Sequence, residues 1–340
     1  MTRPPSPLTM LFSRHTKRRE FISLLGGAAA AWPLAARAQQ RGKVYRIGIL
    51  EPIPAARNAS NLDRLRKGLR DLGYLEGQNL VIEYRSADGR AERFPDLASE
   101  LVGLNVDLIL TRGTPATRAV QDATGTIPVV MMTMGGPGAI VASFARPAGN
   151  ITGVITFSTE LTAKRIEILK ELVPGLSRVA LLHNMGNPAV PPEWEETKTA
   201  ARSLGLQAEL LDVRSEGDLS RAFELAVRQH VDGLVIGADG LTQMHQQTIV
   251  GWLARNRLPA VFPAREFVEA GGLIAYAVNY PDLYLQLATF VDQIFKGTKP
   301  GELPVQQPTK FELVINLKTA KALGLEVPPT LIARADEVIE

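Results

Sequence analysis

The sequence predicts an α/β protein of two doubly wound parallel-sheet lobes, and three observations carry that prediction. Short apolar runs alternate with amphipathic stretches along nearly the whole chain, the pattern of strands joined through helices in sheets covered on both faces. The rhythm pauses at Asn150-Ile151-Thr152-Gly153 and then restarts, so two runs of the same kind follow one another. The 340 residues are 45% hydrophobic and 21% charged, ordinary for a globular chain of about two domains.

In chain order, residues 44–50 read as a first strand. Leu62, Leu65, Leu69 and Leu72 recur at helical spacing, so residues 58–73 read as a helix ended by glycine. A strand over 80–84 follows, then a helix over 94–104, a strand over 106–110, a helix over 115–123 and a strand over 127–132. After the pause come a helix at 161–173, a strand at 178–182, a helix at 193–204 and a strand at 207–213. Next are a helix at 219–230, a strand at 233–236, a helix at 243–256, strands at 260–262 and 273–276, and a helix at 283–295. Residues 296–308 are rich in Pro and Gly and read as a segment crossing between lobes. Residues 311–315 form a late strand, and Asn316 caps a last short helix at 317–323.

The amino-terminal 38 residues read as an export signal. Lys17-Arg18-Arg19-Glu20-Phe21-Ile22 precedes an apolar stretch to Leu34, and Ala36-Arg37-Ala38 supplies a small-x-small cleavage site, with the cut expected after Ala38. The paired arginines resemble a twin-arginine signal, and the apolar stretch is shorter than the roughly 20 residues a membrane span needs. The expected location is periplasmic. This leader also accounts for the basic balance. It holds six of the 38 Lys and Arg residues and one of the 35 Asp and Glu residues, leaving 32 bases against 34 acids. A nearly neutral body offers no electrostatic footprint for nucleic acid. Without cysteine, disulfides, thiolate nucleophiles and cysteine-based metal sites are excluded.

Ligands of open parallel sheets bind beyond the carboxyl ends of the strands. The candidate residues are therefore those just after each strand: Glu51; Gly113, Thr114 and Pro115; Gly135 and Gly136; Asn184 and Asn187; Asp239; and Arg265. Tyr276, at a strand end, joins them. Thr114 is placed to N-cap a helix with Pro115 at its first position, a start that presents free N–H groups to a carboxylate or forms a plain capped turn. Asp239 can accept a ligand ammonium or cap the following helix. Arg265-Glu266 forms an ion pair beside the cleft or an exposed helix start, and His183 reaches ligand or packs. The four histidines are scattered without metal-ligand spacing, and neither a Gly-x-Ser-x-Gly elbow nor a defensible triad is present. No cofactor and no catalysis are expected.

Several blocks resemble one family of ABC transporter substrate-binding proteins, labelled as tryptophan/tyrosine uptake components. They are Gly68-Leu69-Arg70-Asp71-Leu72-Gly73-Tyr74-x-Glu76-Gly77-Gln78-Asn79, Ala145-Arg146-Pro147-x-Gly149-Asn150-Ile151-Thr152-Gly153, Arg265-Glu266-Phe267-Val268-Glu269-Ala270-Gly271-Gly272 and Pro308-Thr309-Lys310-Phe311-Glu312-Leu313-Val314-Ile315-Asn316. The resemblance runs from about Val44 to Glu340 and implies the type I periplasmic-binding-protein fold, with ligand in an interlobe cleft. Mapped onto this chain, lobe one is 43–154 plus 280–305, and lobe two is 155–279 plus 306–340. It also implies that the Gly113-Thr114 turn grips a carboxylate, with Asn184, Asp239 and Arg265 closing from lobe two. The chain departs from the family's Gly-Asp-Pro turn, since Gly136 stands at the acidic position; if that acid holds an amino group, a carboxylate without one is favoured. The implied role is a periplasmic receptor, a monomer, handing an amino acid or small carboxylate, aromatic ones included, to a permease and its ATPase. The alternative is a periplasmic sensing module for a signalling partner.

Overall fold

The computed structural model describes residues 43–134, 140–147, 149–156 and 158–340. The export signal at 1–38 and the Gly135 and Gly136 candidates lie outside the described residues. From Tyr45 to Glu340 the chain forms one unit built on two sheets.

The first sheet holds β1 (Tyr45–Glu51), β2 (Leu80–Ser86), β3 (Leu108–Arg112), β4 (Val129–Met134) and β5 (Ile151–Thr156), in the order β2-β1-β3-β4-β5 and parallel throughout. β1, β3 and β4 are buried along nearly their whole length, which is why they read as unbroken apolar runs. Helices α1 (Ala59–Asp71), α2 (Phe94–Gly103) and α3 (Thr114–Ala123) cover the faces. Strand order reverses between β1 and β3, so the crevice of this lobe opens beyond Glu51 and Arg112.

The second sheet runs β12-β11-β10-β9-β8-β6-β7. Its strands are β6 (Arg178–His183), β7 (Gln207–Asp212), β8 (Gly233–Ile236), β9 (Ala260–Phe262), β10 (Ile274–Val278), β11 (Phe311–Asn316) and β12 (Glu337–Ile339). Its helices are α4 (Ser158–Leu172), α5 (Val190–Ser203), α6 (Asp218–Arg228), α7 (Gly240–Met244), α8 (Gln246–Asn256) and α9 (Arg265–Glu269). The reversal here lies between β6 and β8. The two doubly wound lobes expected from the sequence are present, with one correction. β11 pairs antiparallel with β10, so this sheet is mixed at its far side.

Three crossings link the lobes. After β5 the chain enters α4, whose Arg165 donates through Nε to the Tyr276 carbonyl of β10. After β10 it returns as α10 (Tyr280–Phe295) to the first lobe. There Tyr74 donates to Asp292 at 3.1 Å, and Leu283, Leu287 and Val291 join the core of Ile47, Leu65 and Leu69. Gln306 then bonds to the backbone of β5 before the chain regains the second sheet as β11, α11 (Leu317–Leu323) and α12 (Pro329–Ile332). No helix among the described residues is long and apolar enough to cross a membrane.

Candidate ligand site between the lobes

The strand tips of both sheets meet around one cavity that is partly open to solvent. The first lobe contributes Pro52, Arg112, Gly113, Pro115 and the ends of β4 and β5, backed by Phe94. Asn187, Ala238, Asp239, Gly240, Leu241 and Gln243 come from the second, and Tyr280 from the first turn of α10. The lobes touch across the rim, where Arg112 Nη2 donates to Gln243 Oε1 at 2.7 Å and Arg57 Nη1 donates to the Met244 carbonyl at 2.6 Å.

On the first lobe, Gly113 takes a left-handed φ of 90° and turns the chain from β3 straight into α3. Gly113, not Thr114, is therefore the N-cap, and Thr114 is already helical. Thr114 is fully buried; its hydroxyl meets that of Thr133 at 2.6 Å and the Met134 carbonyl at 3.2 Å, so it fixes the tip of β4 and is not itself part of the wall. Gly113 and Pro115 do line the cavity, bringing the partly positive amino end of α3 to it. Glu51 lies behind this wall, buried, accepting from the Tyr284 hydroxyl and standing 3.7 Å from Arg112 Nη1. Burial pushes the Glu51 carboxyl upward, with Arg112, Tyr284 and Asn58 pulling the other way. Burial also works against the Arg112 charge, yet Tyr284, Glu51 and Tyr280 lift its pKa above the ordinary arginine value. The guanidinium lies 4.5 Å over the Tyr280 ring. Glu51 is thus the counter-charge of Arg112, and Arg112 is the group that faces the cavity.

On the second lobe, Asp239 settles into both roles its position allows. It N-caps α7, with Oδ1 accepting from the Leu241 N–H at 2.9 Å and its own N–H donating to Thr242 Oγ1 at 3.3 Å, and it lines the cavity. Asn184 Nδ2 reaches Oδ1 at 3.3 Å, and Asn187 Nδ2 reaches Oδ2 at 2.9 Å. Asn187 shares the wall, whereas Asn184 supports from behind. His183 packs and does not reach the cavity. It is fully buried, its Nδ1 accepts from the Asn184 N–H at 2.9 Å, and its Nε2 stands 3.4 Å from Glu193. Gly237 makes room for the ring, since a Cβ there would lie 2.1 Å from His183 Cδ2.

Two expected residues lie elsewhere. Arg265 turns to the flank of the second sheet, where it contacts Glu269 at 2.9 Å, Glu312 at 3.4 Å and Glu337 at 2.5 Å. Tyr276 packs against Phe311 with ring centroids 5.9 Å apart, because β10 continues past it to Val278 and its carboxyl end delivers Tyr280 instead. Arg112, Gln243, Tyr280 and Phe94 were not singled out from sequence; for Arg112 the signal was its place in the Thr-Arg-Gly-Thr-Pro turn. Among the described residues no group of three or more His, Asp or Glu could hold a metal ion.

Comparison with known proteins places this geometry. The family described as ABC transporter substrate binding protein matches residues 46–339. A tyrosine-binding protein of Clostridioides difficile (strain R20291) is 24% identical over 272 residues, 78% of each chain. A conserved domain protein from Vibrio cholerae superposes with a TM-score of 0.82 at 26% identity, covering 87% of this chain and 100% of its own. An ABC domain from Streptococcus pneumoniae in complex with L-Trp gives 0.80 at 26% identity, covering 87% of this chain and 99% of its own.

Proposed function

The chain belongs to the ABC transporter substrate binding protein family, and from that premise we propose that it captures an amino acid or a small carboxylate between its lobes. The aromatic members of both classes are included. Exported to the periplasm by its leader, it hands this ligand as a monomer to the permease of an importer. The observation that carries the reading is the opposed polarity of the cavity walls. Arg112 and the amino end of α3 face it from the first lobe, and Asp239 with Asn187 faces it from the second. A ligand carboxylate suits the first wall and an ammonium the second. Phe94, Met132, Pro115 and Leu241 give an apolar lining for a side chain between them. The relatives that bind tyrosine and L-Trp support the same class. Asp239 provides an acceptor for an amino group whatever stands at position 136. Because the ligand touches both lobes, binding stabilises the arrangement in which they meet.

The test is a thermal-shift screen of amino acids, aromatic acids and small carboxylates. A ligand raises the melting temperature with concentration, as mass action requires. Asp239→Asn then weakens an amino acid by about tenfold or more, the worth of a hydrogen bond to a charged group, while sparing the analogue without the amino group. Equal loss for both compounds, or none for either, removes Asp239 from the ligand site.

A further inference from the structure

The crevice does not end at Arg112. A second cavity, partly open to solvent, adjoins the Arg112–Gln243 contact, and these two side chains line both spaces. The contact is thus a party wall, with one side chain from each lobe. Ile53 and Phe267 give the second space an apolar floor. Its charged groups repeat the polarity of the first. The first lobe presents the guanidinium of Arg57 beside that of Arg112, and the second lobe presents Glu266. Glu266 Oε2 is buried and accepts no hydrogen bond among the described residues. A carboxylate oxygen withdrawn from water without a donor is costly, so a cationic group that draws this side chain toward the adjoining space relieves that cost. Gln243, Gln246 and Gln247 add amides able to donate or accept.

We propose that this second compartment binds a small zwitterion, an amino-acid-sized molecule carrying one carboxylate and one ammonium, alongside the ligand of the first. Its carboxylate faces Arg57 and Arg112, and its ammonium faces the Glu266 side chain. Such a guest bridges the lobes in the same sense as the first ligand, so the two bind cooperatively through the shared wall. An isolated anion leaves Glu266 without a donor, and an isolated cation meets two guanidinium groups; a zwitterion satisfies both sides. The inference rests on the reading that the crevice closes over its first ligand.

Native mass spectrometry of the purified protein tests it, with L-tryptophan as the first probe and an equimolar pool of the other common amino acids added next. The expected result is an adduct carrying two amino acids, whose second mass identifies the occupant of the new compartment. Glu266→Gln removes the charge that holds the ammonium. Gln247→Trp fills the space from an exposed position, without touching the core. Both variants lose the second adduct and retain the first, whereas Asp239→Asn weakens the first. A single adduct in the wild type at every concentration, or a second adduct that survives both variants, overturns the proposal and leaves the first site standing. No adduct with any amino acid overturns it too, leaving only the carboxylate half of the preceding reading for the thermal-shift screen to decide.

Discussion

Gly240 opens α7 directly against Pro52, and a Cβ built on it lies 2.4 Å from the Pro52 Cβ. Carbon atoms rest at about 3.5–4.0 Å, so Gly240→Ala asks the lobes to part by about 1.1–1.6 Å at this rim. Neither partner can swing aside, because a methyl has no rotamer to change and the proline ring is tied to its own backbone. The Arg112–Gln243 hydrogen bond measures 2.7 Å, and an opening of that size takes it out of range. Over-packing of this kind costs about 1–3 kcal/mol. On the proposed reading the cost falls on the closed arrangement alone, so ligand affinity drops about 5- to 150-fold. The ligand-free protein is spared, since alanine is the better helix former at the first position of α7. Calorimetric titration with the ligand found by the screen measures the loss. The thermal midpoint without ligand measures the control, and small-angle scattering shows whether the ligand still draws the lobes together. Unchanged affinity with normal compaction would refute the claim that Pro52 and Gly240 meet when the lobes close. A fall in the ligand-free midpoint large enough to account for the affinity loss would refute the claim that the strain belongs to closure.

Two further outcomes follow from other parts of the molecule. Arg265→Ala leaves ligand affinity unchanged, because this side chain serves the Glu269, Glu312 and Glu337 cluster. With the arginine part-exposed, the midpoint shift corresponds to about 1 kcal/mol or less, readable by urea unfolding. Glu193, buried beneath the second-lobe wall, is desolvated, yet His183, Thr162 and Arg165 outweigh burial and hold its carboxyl below the ordinary value of 4.5. A carboxylate with a depressed folded pKa stabilises the protein above its unfolded pKa, and that contribution is lost as pH falls below 4.5. The difference in stability between wild type and Glu193→Gln therefore shrinks on acidification through that range. A difference that stays constant or grows there excludes the linkage.

The strands were legible where both faces are buried, because β1, β3, β4, β6 and β8 then read as apolar runs bounded by turn residues. β5 escaped because Ile-Thr-Gly-Val-Ile-Thr looks like a turn, and β12 because three residues carry no period. The antiparallel pairing of β10 with β11 was invisible for a different reason: alternation records which face a side chain takes, not the direction of the strand. The helix read at 243–256 corresponds to α8 with the last two residues of α7 joined to it, because the break at His245 leaves no mark in the apolar spacing. At the site, an error of two residues in a strand end decided which side chain was noticed. β3 ends at Arg112 and β10 at Val278, so Arg112 and Tyr280 reach the cavity while Tyr276 stays in the packing. Arg265 could not be assigned from sequence, since its true partners Glu312 and Glu337 sit on β11 and β12 and reach it only through the mixed side of the sheet.

The tip residues divide according to what burial leaves them free to do. Thr114, Asn184, His183 and Glu51 are buried, and their hydrogen bonds or counter-charges are spent on neighbours. Arg112 and Asn187 are buried as deeply, yet with Gln243 and Asp239 they line the cavity. The division has an electrostatic cause. A guanidinium withdrawn from water is tolerated only beside a counter-charge, and Glu51 supplies one on the side away from the ligand. Asp239 is held differently, by the Leu241 N–H and two neutral amides, with no cation paired to it among the described residues. The first wall is therefore a compensated cation and the second an uncompensated anion. A ligand with an ammonium relieves the second wall, whereas a bare carboxylate satisfies only the first, which makes an amino acid the better fit of the two ligand classes.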